Sequence, residues 1–315
     1  MTPAPERTGV LVMAYGTPAS PEQVEAFYTD VRRGRPPSAE QLANLVARYD
    51  AIGGTSPLAR RTAEQVAGIQ QQLDLRAPGG FVCTLGNKHA EPHIEDGVEA
   101  LAARDLRRLV GLVLAPHYSR GSVGEYMGRT NERARRLGMT AGFVEHWHDH
   151  PVLIELLAGN VARALESLGP DGDKARANGE LLLLVTAHSL PVRVVADGDP
   201  YADQLRRTAE LVAAASGLER WDLGWQSAGR TPEPWLGPDI LERLRALPGE
   251  GVRAVVVCAA GFTSDHLEVL YDLDVEARRA AAETGVAFAR TASLNAEPRL
   301  CAALAGLVAE RAGRL

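Results

Sequence analysis

Short apolar runs alternate with amphipathic stretches along the whole chain of 315 residues. Runs of four to eight apolar residues bounded by Gly, Pro or Asn are typical of buried strands, and apolar positions three or four residues apart predict helices. The predicted strands are 9–15, 80–85, 108–115, 141–146, 181–187, 221–226, 252–260 and 285–290. The predicted helices are 20–32, 38–50, 58–74, 92–104, 123–137, 151–168, 201–216, 237–247, 266–283 and 296–312. Strands that alternate with helices in this way indicate an α/β fold with parallel sheets.

The two halves of the chain share a weak internal repeat. "VLVMAYGTP" corresponds to "LLLVTAHSLP", "TLGNKHAEPHIEDGVEAL" to "QSAGRTPEPWLGPDILERL", "LVGLVLAPHYS" to "AVVVCAAGFTS" and "DHPVLIELLAGNV" to "AEPRLCAALAGLV". Four correspondences in one order predict two similar α/β halves, each with four parallel strands, that face each other across a cleft. The predicted halves are 1–168, with an insertion at about 18–78, and 169–315, and the polar segment 169–180 is the predicted joint.

Composition excludes several classes of protein. The net charge of −6 argues against nucleic-acid binding, for which a basic face is the usual requirement. Apolar runs stay far below the ~20 residues of a membrane helix, and the N-terminus passes from a polar tail directly into a strand, without the pattern of a signal peptide. We therefore expect a cytoplasmic protein. The cysteines, Cys83, Cys258 and Cys301, are far apart and form no CxxC pair, which disfavours a disulfide framework.

An unusual number of acidic groups lies in the stretch "GFTSDHLEVLYDLDVEARR", residues 261–279. On a helix, Glu268, Asp272 and Glu276 recur every four residues and stack on one face. Such a row is either a solvated acidic face or a track that attracts a hard or borderline cation. The position of the stretch after a strand favours the second interpretation, because ligands of open α/β sheets bind beyond the carboxyl ends of the strands.

The second half also carries a candidate reactive pair. His188 directly follows the apolar run "LLLLVTA", and Glu268 is expected at the equivalent edge of the same half. A lone histidine in this position is as often a structural residue as a ligand. Together, an imidazole and a carboxylate form a mixed site that suits Fe(II), Zn(II) or Co(II) better than Mg(II), and they can also accept protons.

Basic residues in the insertion of the first half predict a site for carboxylates. Arg32, Arg33, Arg35 and Arg48 are guanidinium groups that can bind carboxylates in a bidentate manner, and Ser56 follows a Gly-Gly turn. The alternative is a solvated basic helix end. Tyr15 follows the first strand and is suited to stacking on a flat conjugated ligand.

Seven segments together resemble the ferrochelatase family. They are "VLVMAYGTP", "VRRGR", "RYDAIGGTSPL", "APHYS", "TAHSLP", "GWQSAGRTPEPWLGPD" and "GFTSDHLEVLYDLD". They are most similar to the soluble coproporphyrin III ferrochelatases of Gram-positive bacteria, and the resemblance spans nearly the whole chain. It implies two Rossmann-like halves of the chelatase type, a porphyrin-binding insertion in the first half and metal-handling residues in the second.

The resemblance also implies roles for individual residues. His188 and Glu268 are expected to be the catalytic pair and to handle the metal, and Tyr15 to be the axial residue on the opposite face of the macrocycle. The expected porphyrin-binding residues are Tyr15, Arg32, Arg48, Tyr49, Ser56, Tyr126 and Trp235. The expected metal-binding residues are His188, Glu268, Asp272 and Glu276.

The activity implied by the resemblance is the insertion of ferrous iron into coproporphyrin III in haem biosynthesis. Fe(II) is then a substrate, no cofactor is bound permanently, and no iron–sulfur cluster is expected, because members with a cluster use four cysteines. We expect a monomer without stable membrane association that contacts the next enzyme of the haem pathway transiently. The alternatives are a carrier of haem or porphyrin without catalysis, and a chelatase for protoporphyrin IX or sirohydrochlorin.

Overall fold

The computed structural model of the protein describes residues 7–229 and 231–315. Its strands are β1 (Thr8–Ala14), β2 (Phe81–Asn87), β3 (Arg108–Val113), β4 (Thr140–Val144), β5 (Leu181–His188), β6 (Trp221–Gln226), β7 (Ala254–Cys258) and β8 (Ala287–Arg290). Its α-helices are α1 (Val24–Val31), α2 (Ala39–Ala51), α3 (Leu58–Arg76), α4 (Ile94–Ala102), α5 (Val123–Arg136), α6 (Pro151–Ser167), α7 (Gly169–Ala177), α8 (Val192–Ala196), α9 (Tyr201–Ser216), α10 (Ile240–Ala246), α11 (Leu267–Tyr271), α12 (Arg278–Thr284) and α13 (Pro298–Ala312). A π-helical turn, Asp272–Ala277, joins α11 to α12.

The chain divides into two compact units, one formed by 1–146 with 295–315 and the other by 147–294. In the first unit the strands pair in parallel in the order β2-β1-β3-β4, and in the second in the order β6-β5-β7-β8. The identical order explains the sequence repeat, because corresponding segments occupy corresponding strands. The α/β fold with two four-stranded parallel sheets is therefore confirmed.

The central strands account for the apolar runs. Every residue of β1 is buried, and so is every residue of β5 before His188. A strand of a parallel sheet that helices cover on both faces reads as a continuous apolar run, not as an alternating one. Each of these strands therefore ends with a residue at the carboxyl edge of its own sheet, Tyr15 after β1 and His188 at the end of β5.

The units differ from the predicted halves at their boundaries. Helix α6 follows β4 of the first unit but packs against α9, β7 and β8 of the second. Helix α13 follows β8 of the second unit but packs against α3 and β4 of the first. The backbone carbonyl of Ala312 accepts a hydrogen bond of 2.6 Å from Arg108. Each unit thus receives the helix that follows the last strand of the other, which places the divisions at 146/147 and 294/295, not at 168/169.

Two helices occupy segments where the sequence predicted none. The predicted joint contains α7, in which Pro170 lies in the first turn, where the missing N–H of a proline costs no hydrogen bond. Residues 192–196 form the short α8. Among the described residues, no helix combines the length and the apolar composition that crossing a membrane requires.

Candidate active site

His188 lies at the carboxyl end of the central strand of the second unit. It is the last residue of β5 and pairs in register with Gln226, the last residue of β6. The Tyr201 hydroxyl donates a hydrogen bond of 3.1 Å to the His188 carbonyl, and the Ser189 N–H donates one of 2.7 Å to the Gln226 carbonyl. The backbone of His188 is therefore fixed from both sides.

The imidazole of His188 pairs with the carboxylate of Glu268. Nδ1 of His188 lies 2.9 Å from Oε2 of Glu268, and their side chains are 38% and 27% exposed, respectively. Burial disfavours the imidazolium, but the negative charges of Glu268 and Asp272 and the hydrogen bond from Glu268 outweigh it and raise the pKa of His188 above its ordinary value. The structure thus brings together the histidine and the carboxylate that the sequence placed at the same edge of the sheet, and both side chains are partly exposed.

A second carboxylate of the acidic stretch is held by the end of β6. Asp272 is 5% exposed, and its Oδ2 accepts a hydrogen bond of 2.8 Å from the Ser227 hydroxyl. The Gln226 amide donates to the Glu268 carbonyl at 3.0 Å and approaches Oδ2 of Asp272 at 3.5 Å. Ser227 adopts a left-handed conformation with φ of 55°. Gln226 and Ser227 were not among the residues predicted from the sequence, although the "QS" at the end of the strand was an available signal.

The helix of the acidic stretch is not a regular α-helix as predicted. It is α-helical over Leu267–Tyr271, widens to a π-helix over Asp272–Ala277 and returns to α-helix at Arg278. Glu268, Asp272 and Glu276 are all at least half-buried, so the stretch is not a solvated acidic face. Single π turns inside α-helices are rare and are frequent at functional sites.

His266 extends the polar cluster next to Glu268. Its Nδ1 lies 2.9 Å from the Ser264 carbonyl, which fixes a proton on Nδ1, and its ring contacts Phe262 with centroids 4.8 Å apart. Burial lowers the pKa of His266 below its ordinary value. The pKa values of the two histidines are thus shifted in opposite directions, that of His188 upwards by carboxylates and that of His266 downwards by burial.

Trp235 lies on the loop between β6 and α10. Its Nε1 donates a hydrogen bond of 2.8 Å to the Thr231 hydroxyl. Its ring packs on Gly229, where an added Cβ would lie 2.2 Å from the indole. Trp235 also forms a backbone bridge with Pro191, three residues after His188. The predicted tryptophan therefore belongs to the same end of the second sheet as His188.

In the first unit, Tyr15 follows β1 and is 45% exposed. Its ring makes edge contacts with Phe27, at a centroid distance of 6.3 Å, and with His89, at 4.7 Å. Nδ1 of His89 in turn lies 2.7 Å from Oδ2 of Asp30 on α1. His89, whose contact orients the tyrosine ring, was not among the residues predicted from the sequence.

Tyr126 of α5 is buried, at 4% exposure. The Lys88 ammonium lies 5.5 Å from the centre of its ring and 2.8 Å from Oε2 of Glu125. Burial and the proximity of Tyr15 raise the pKa of Tyr126 far above its ordinary value, so its hydroxyl stays protonated and can donate a hydrogen bond.

The remaining predicted residues of the first unit lie on or next to the helices of the insertion. Arg32 caps the C-terminus of α1 and stacks on the Tyr28 ring at 5.6 Å. Arg48 and the buried Tyr49 form the last turns of α2, and Ser56, 9% exposed, precedes α3 and accepts a hydrogen bond of 3.2 Å from the Leu58 N–H. The structure thus places a cation at the end of each of the first two helices.

The cysteines lie on three separate elements as free thiols: Cys83 on β2, Cys258 on β7 and Cys301 on α13. Burial raises the pKa of Cys83 and of Cys258 to about 12 and that of Cys301 to about 11. None of these thiols is activated for nucleophilic chemistry.

Comparison with curated proteins shows extensive similarity along the chain. Coproporphyrin III ferrochelatases from Anoxybacillus flavithermus and Geobacillus kaustophilus are 45% and 43% identical to it, with 95% and 96% of this chain and 95% of each relative aligned. The coproporphyrin III ferrochelatase of Bacillus subtilis is 41% identical, with 98% of this chain and 99% of the relative aligned.

Solved structures with the same fold are chelatases. The sirohydrochlorin chelatase SirB of Bacillus subtilis with Fe³⁺ aligns with a TM-score of 0.56 at 14% identity over 98% of this chain and 96% of its own. CbiX, the terminal enzyme of sirohaem biosynthesis in denitrifying bacteria, aligns with a TM-score of 0.51 at 15% identity over 96% and 98%. The model of the ferrochelatase family matches residues 7–312. With that match and relatives of this identity over nearly its full length, the chain belongs to the ferrochelatase family.

Proposed function

We propose that the protein inserts ferrous iron into coproporphyrin III and that His188 and Glu268 carry out the chemistry. The observation that carries the proposal is the contact of 2.9 Å between the His188 imidazole and the Glu268 carboxylate at the end of β5. The curated relatives, which are named for this activity and align over nearly their whole length, support the choice of substrate.

Metal insertion into a porphyrin releases two pyrrole N–H protons, which need an acceptor. An imidazole whose pKa the neighbouring carboxylates raise is a better acceptor than an ordinary histidine. Glu268 orients the ring through Nδ1, which leaves Nε2 for the proton or the arriving metal. The same pair supplies one nitrogen and one oxygen ligand, a combination that suits Fe(II).

The acidic stretch attracts the cation. Asp272 and Glu276 follow Glu268 on the helical segment, and we propose that these carboxylates replace the water around Fe(II) before insertion. Negative charges that repel one another bind a divalent ion in common, because the ion removes their repulsion.

The residues of the first unit bind the macrocycle in this proposal. Tyr15 faces the ring as the axial residue, and Arg32 and Arg48 bind propionates. Tyr49, Ser56 and Tyr126 of the first unit and Trp235 of the second complete the porphyrin-binding set. Binding energy from the propionates can hold the ring in a distorted shape that exposes its nitrogen lone pairs.

Several finer properties belong to the proposal as well. Fe(II) is a substrate, and the protein works without a resident cofactor and without an iron–sulfur cluster. We propose a cytoplasmic monomer that contacts the next enzyme of the haem pathway transiently.

Glu268→Gln tests the role of the pair, because it keeps the shape of the side chain and removes its charge. We expect kcat for iron insertion to fall by about 100-fold or more, while the Kd for coproporphyrin III, measured by quenching of porphyrin fluorescence, changes by less than about threefold. Equal losses in kcat and in porphyrin affinity would contradict the assignment. As a control, Glu283→Gln removes a charge from the exposed end of α12 and is expected to change neither quantity.

A further inference from the structure

An arginine from strand β8 contacts the acidic stretch, residues 261–279. Arg290 is the last residue of β8, and its side chain is 15% exposed. Its Nε and Nη2 donate to the two carboxylate oxygens of Asp274 at 2.7 and 2.6 Å, and its Nη1 donates to the Thr291 carbonyl at 3.0 Å. Nη1 also lies 3.9 Å from Oδ1 of Asp265. The Arg290 guanidinium therefore pairs with two carboxylates, one before and one after Glu268 in the sequence.

These contacts come from β8, which lies at the opposite edge of the sheet from β6. Asp265 lies three residues before Glu268, and Asp274 lies in the π turn, two residues after Asp272. Asp272 itself is held by Ser227, and the Glu268 carbonyl by Gln226. The planar fork of an arginine in a bidentate pair sets the orientation of its partner, which the single ammonium of a lysine does not.

We infer that Arg290 is a positioning residue for metal insertion, an inference that rests on the proposed function. It acts through Asp265 and Asp274: by binding both, it holds the π turn in the geometry in which Glu268 meets His188 and Asp272 meets Ser227. Asp265 and Asp274 are then partners of Arg290 and do not belong to the row that binds the substrate cation.

The same unit offers a matched control in Arg243 of α10. Its side chain is 11% exposed, its Nη1 and Nη2 donate to Glu250 at 2.6 and 2.7 Å, and its Nε donates to Asp222 at 2.6 Å. Arg243 is thus an equally buried, bidentate arginine that contacts two carboxylates outside the acidic stretch. Loss of either arginine removes the same kind of interaction from the fold.

The test compares Arg290→Met, Arg290→Lys and Arg243→Met in iron insertion. For Arg290→Met we expect kcat/KM for Fe(II) to fall by about tenfold or more, with KM for coproporphyrin III changed by less than about twofold, because misplacement of a reacting group by a fraction of an ångström is costly. Arg290→Lys is expected to recover only part of the loss.

The control variant, Arg243→Met, should lower the unfolding temperature by about as much as Arg290→Met does and leave both kinetic constants within about twofold of wild type. Equal kinetic losses in the two methionine variants, or full recovery by lysine, would overturn the inference.

A second measurement separates this inference from the proposed function, since it needs no activity. In hydrogen–deuterium exchange of the metal-free protein, Arg290→Met is expected to accelerate exchange of the amides of 267–277, while Arg243→Met accelerates exchange in α10. If the wild-type protein inserts no iron, the proposed function fails, and the local acceleration still supports the positioning role. Unchanged or uniformly accelerated exchange in Arg290→Met would overturn that role.

Discussion

The hydroxyl of Ser227 is predicted to stabilise the second unit through its hydrogen bond to Asp272. The bond is 2.8 Å long, and its acceptor is a carboxylate with 5% exposure. A hydrogen bond to a charged group contributes about 1.5 to 3 kcal/mol, and the Gln226 amide, at 3.5 Å, does not replace it. Ser227→Ala should therefore lower the free energy of unfolding by about 1.5 to 3 kcal/mol.

A glycine at the same position separates the side-chain contribution from the backbone contribution. With φ of 55°, residue 227 adopts the left-handed conformation, which costs a residue other than glycine about 1 to 2 kcal/mol. Ser227→Gly also loses the hydrogen bond, but glycine adopts the left-handed conformation without most of that conformational cost. We expect it to be about 1 kcal/mol more stable than Ser227→Ala and still less stable than wild type.

Urea unfolding followed by circular dichroism measures both differences. The control is Ser167→Ala, which removes a hydroxyl that donates to the neutral carbonyl of Ala164 at the end of α6 and should cost less than about 0.5 kcal/mol. A Ser227→Ala protein as stable as wild type would contradict the role of the hydrogen bond, and a glycine variant less stable than the alanine variant would contradict the backbone contribution.

Three further predictions concern His188 and the strands β5 and β7 of the second unit. The pKa of His188 is raised in the folded protein, so its pair with Glu268 contributes stability fully below the ordinary value of 6.5 and loses it as pH rises through the raised pKa. Glu268→Gln should lower the imidazole pKa measured by NMR and weaken this pH dependence in urea unfolding of the metal-free protein, and an unchanged pKa would contradict the prediction. Gly261→Ala would place a Cβ 2.4 Å from the Cβ of Ala187, the residue directly before His188. It should lower the free energy of unfolding by about 1 to 3 kcal/mol and reduce the rate of iron insertion. Wild-type values of both quantities would contradict this prediction. The fully buried Cys258 thiol, with its pKa raised to about 12, should react with Ellman's reagent only in denaturant, and fast labelling of the native protein would contradict its burial.

The strands could be predicted because their signal is local. Each parallel strand is a short apolar run with turn residues at its ends, and all eight predicted strands overlap observed ones. The pairing of His188 with Glu268 was also predictable, because both follow apolar runs whose carboxyl ends meet at one edge of a parallel sheet. The helix α7 was not predicted, since its Gly and Pro are typical of a turn as well as of a helix start.

Features that depend on distant partners could not be predicted. The π turn is held by Arg290, 16 residues after Asp274, and by Ser227, 45 residues before Asp272. Neither partner leaves a periodic pattern in the acidic stretch, where spacing alone favours a regular helix with three aligned carboxylates. The exchange of α6 and α13 between the units has a similar cause, because amphipathic helices of this kind indicate that a sheet must be covered but not which sheet.

The proposed catalysis of ferrous iron insertion into coproporphyrin III by the His188–Glu268 pair can be tested directly by its turnover. The most direct measurement mixes the purified protein anaerobically with Fe(II) and coproporphyrin III and follows the porphyrin absorption bands, with protoporphyrin IX as a parallel substrate and His188→Ala as the control. We expect many turnovers with coproporphyrin III, slower insertion into protoporphyrin IX and loss of turnover in His188→Ala. Stoichiometric binding of finished haem without turnover by the wild-type protein would contradict it and would identify a carrier instead.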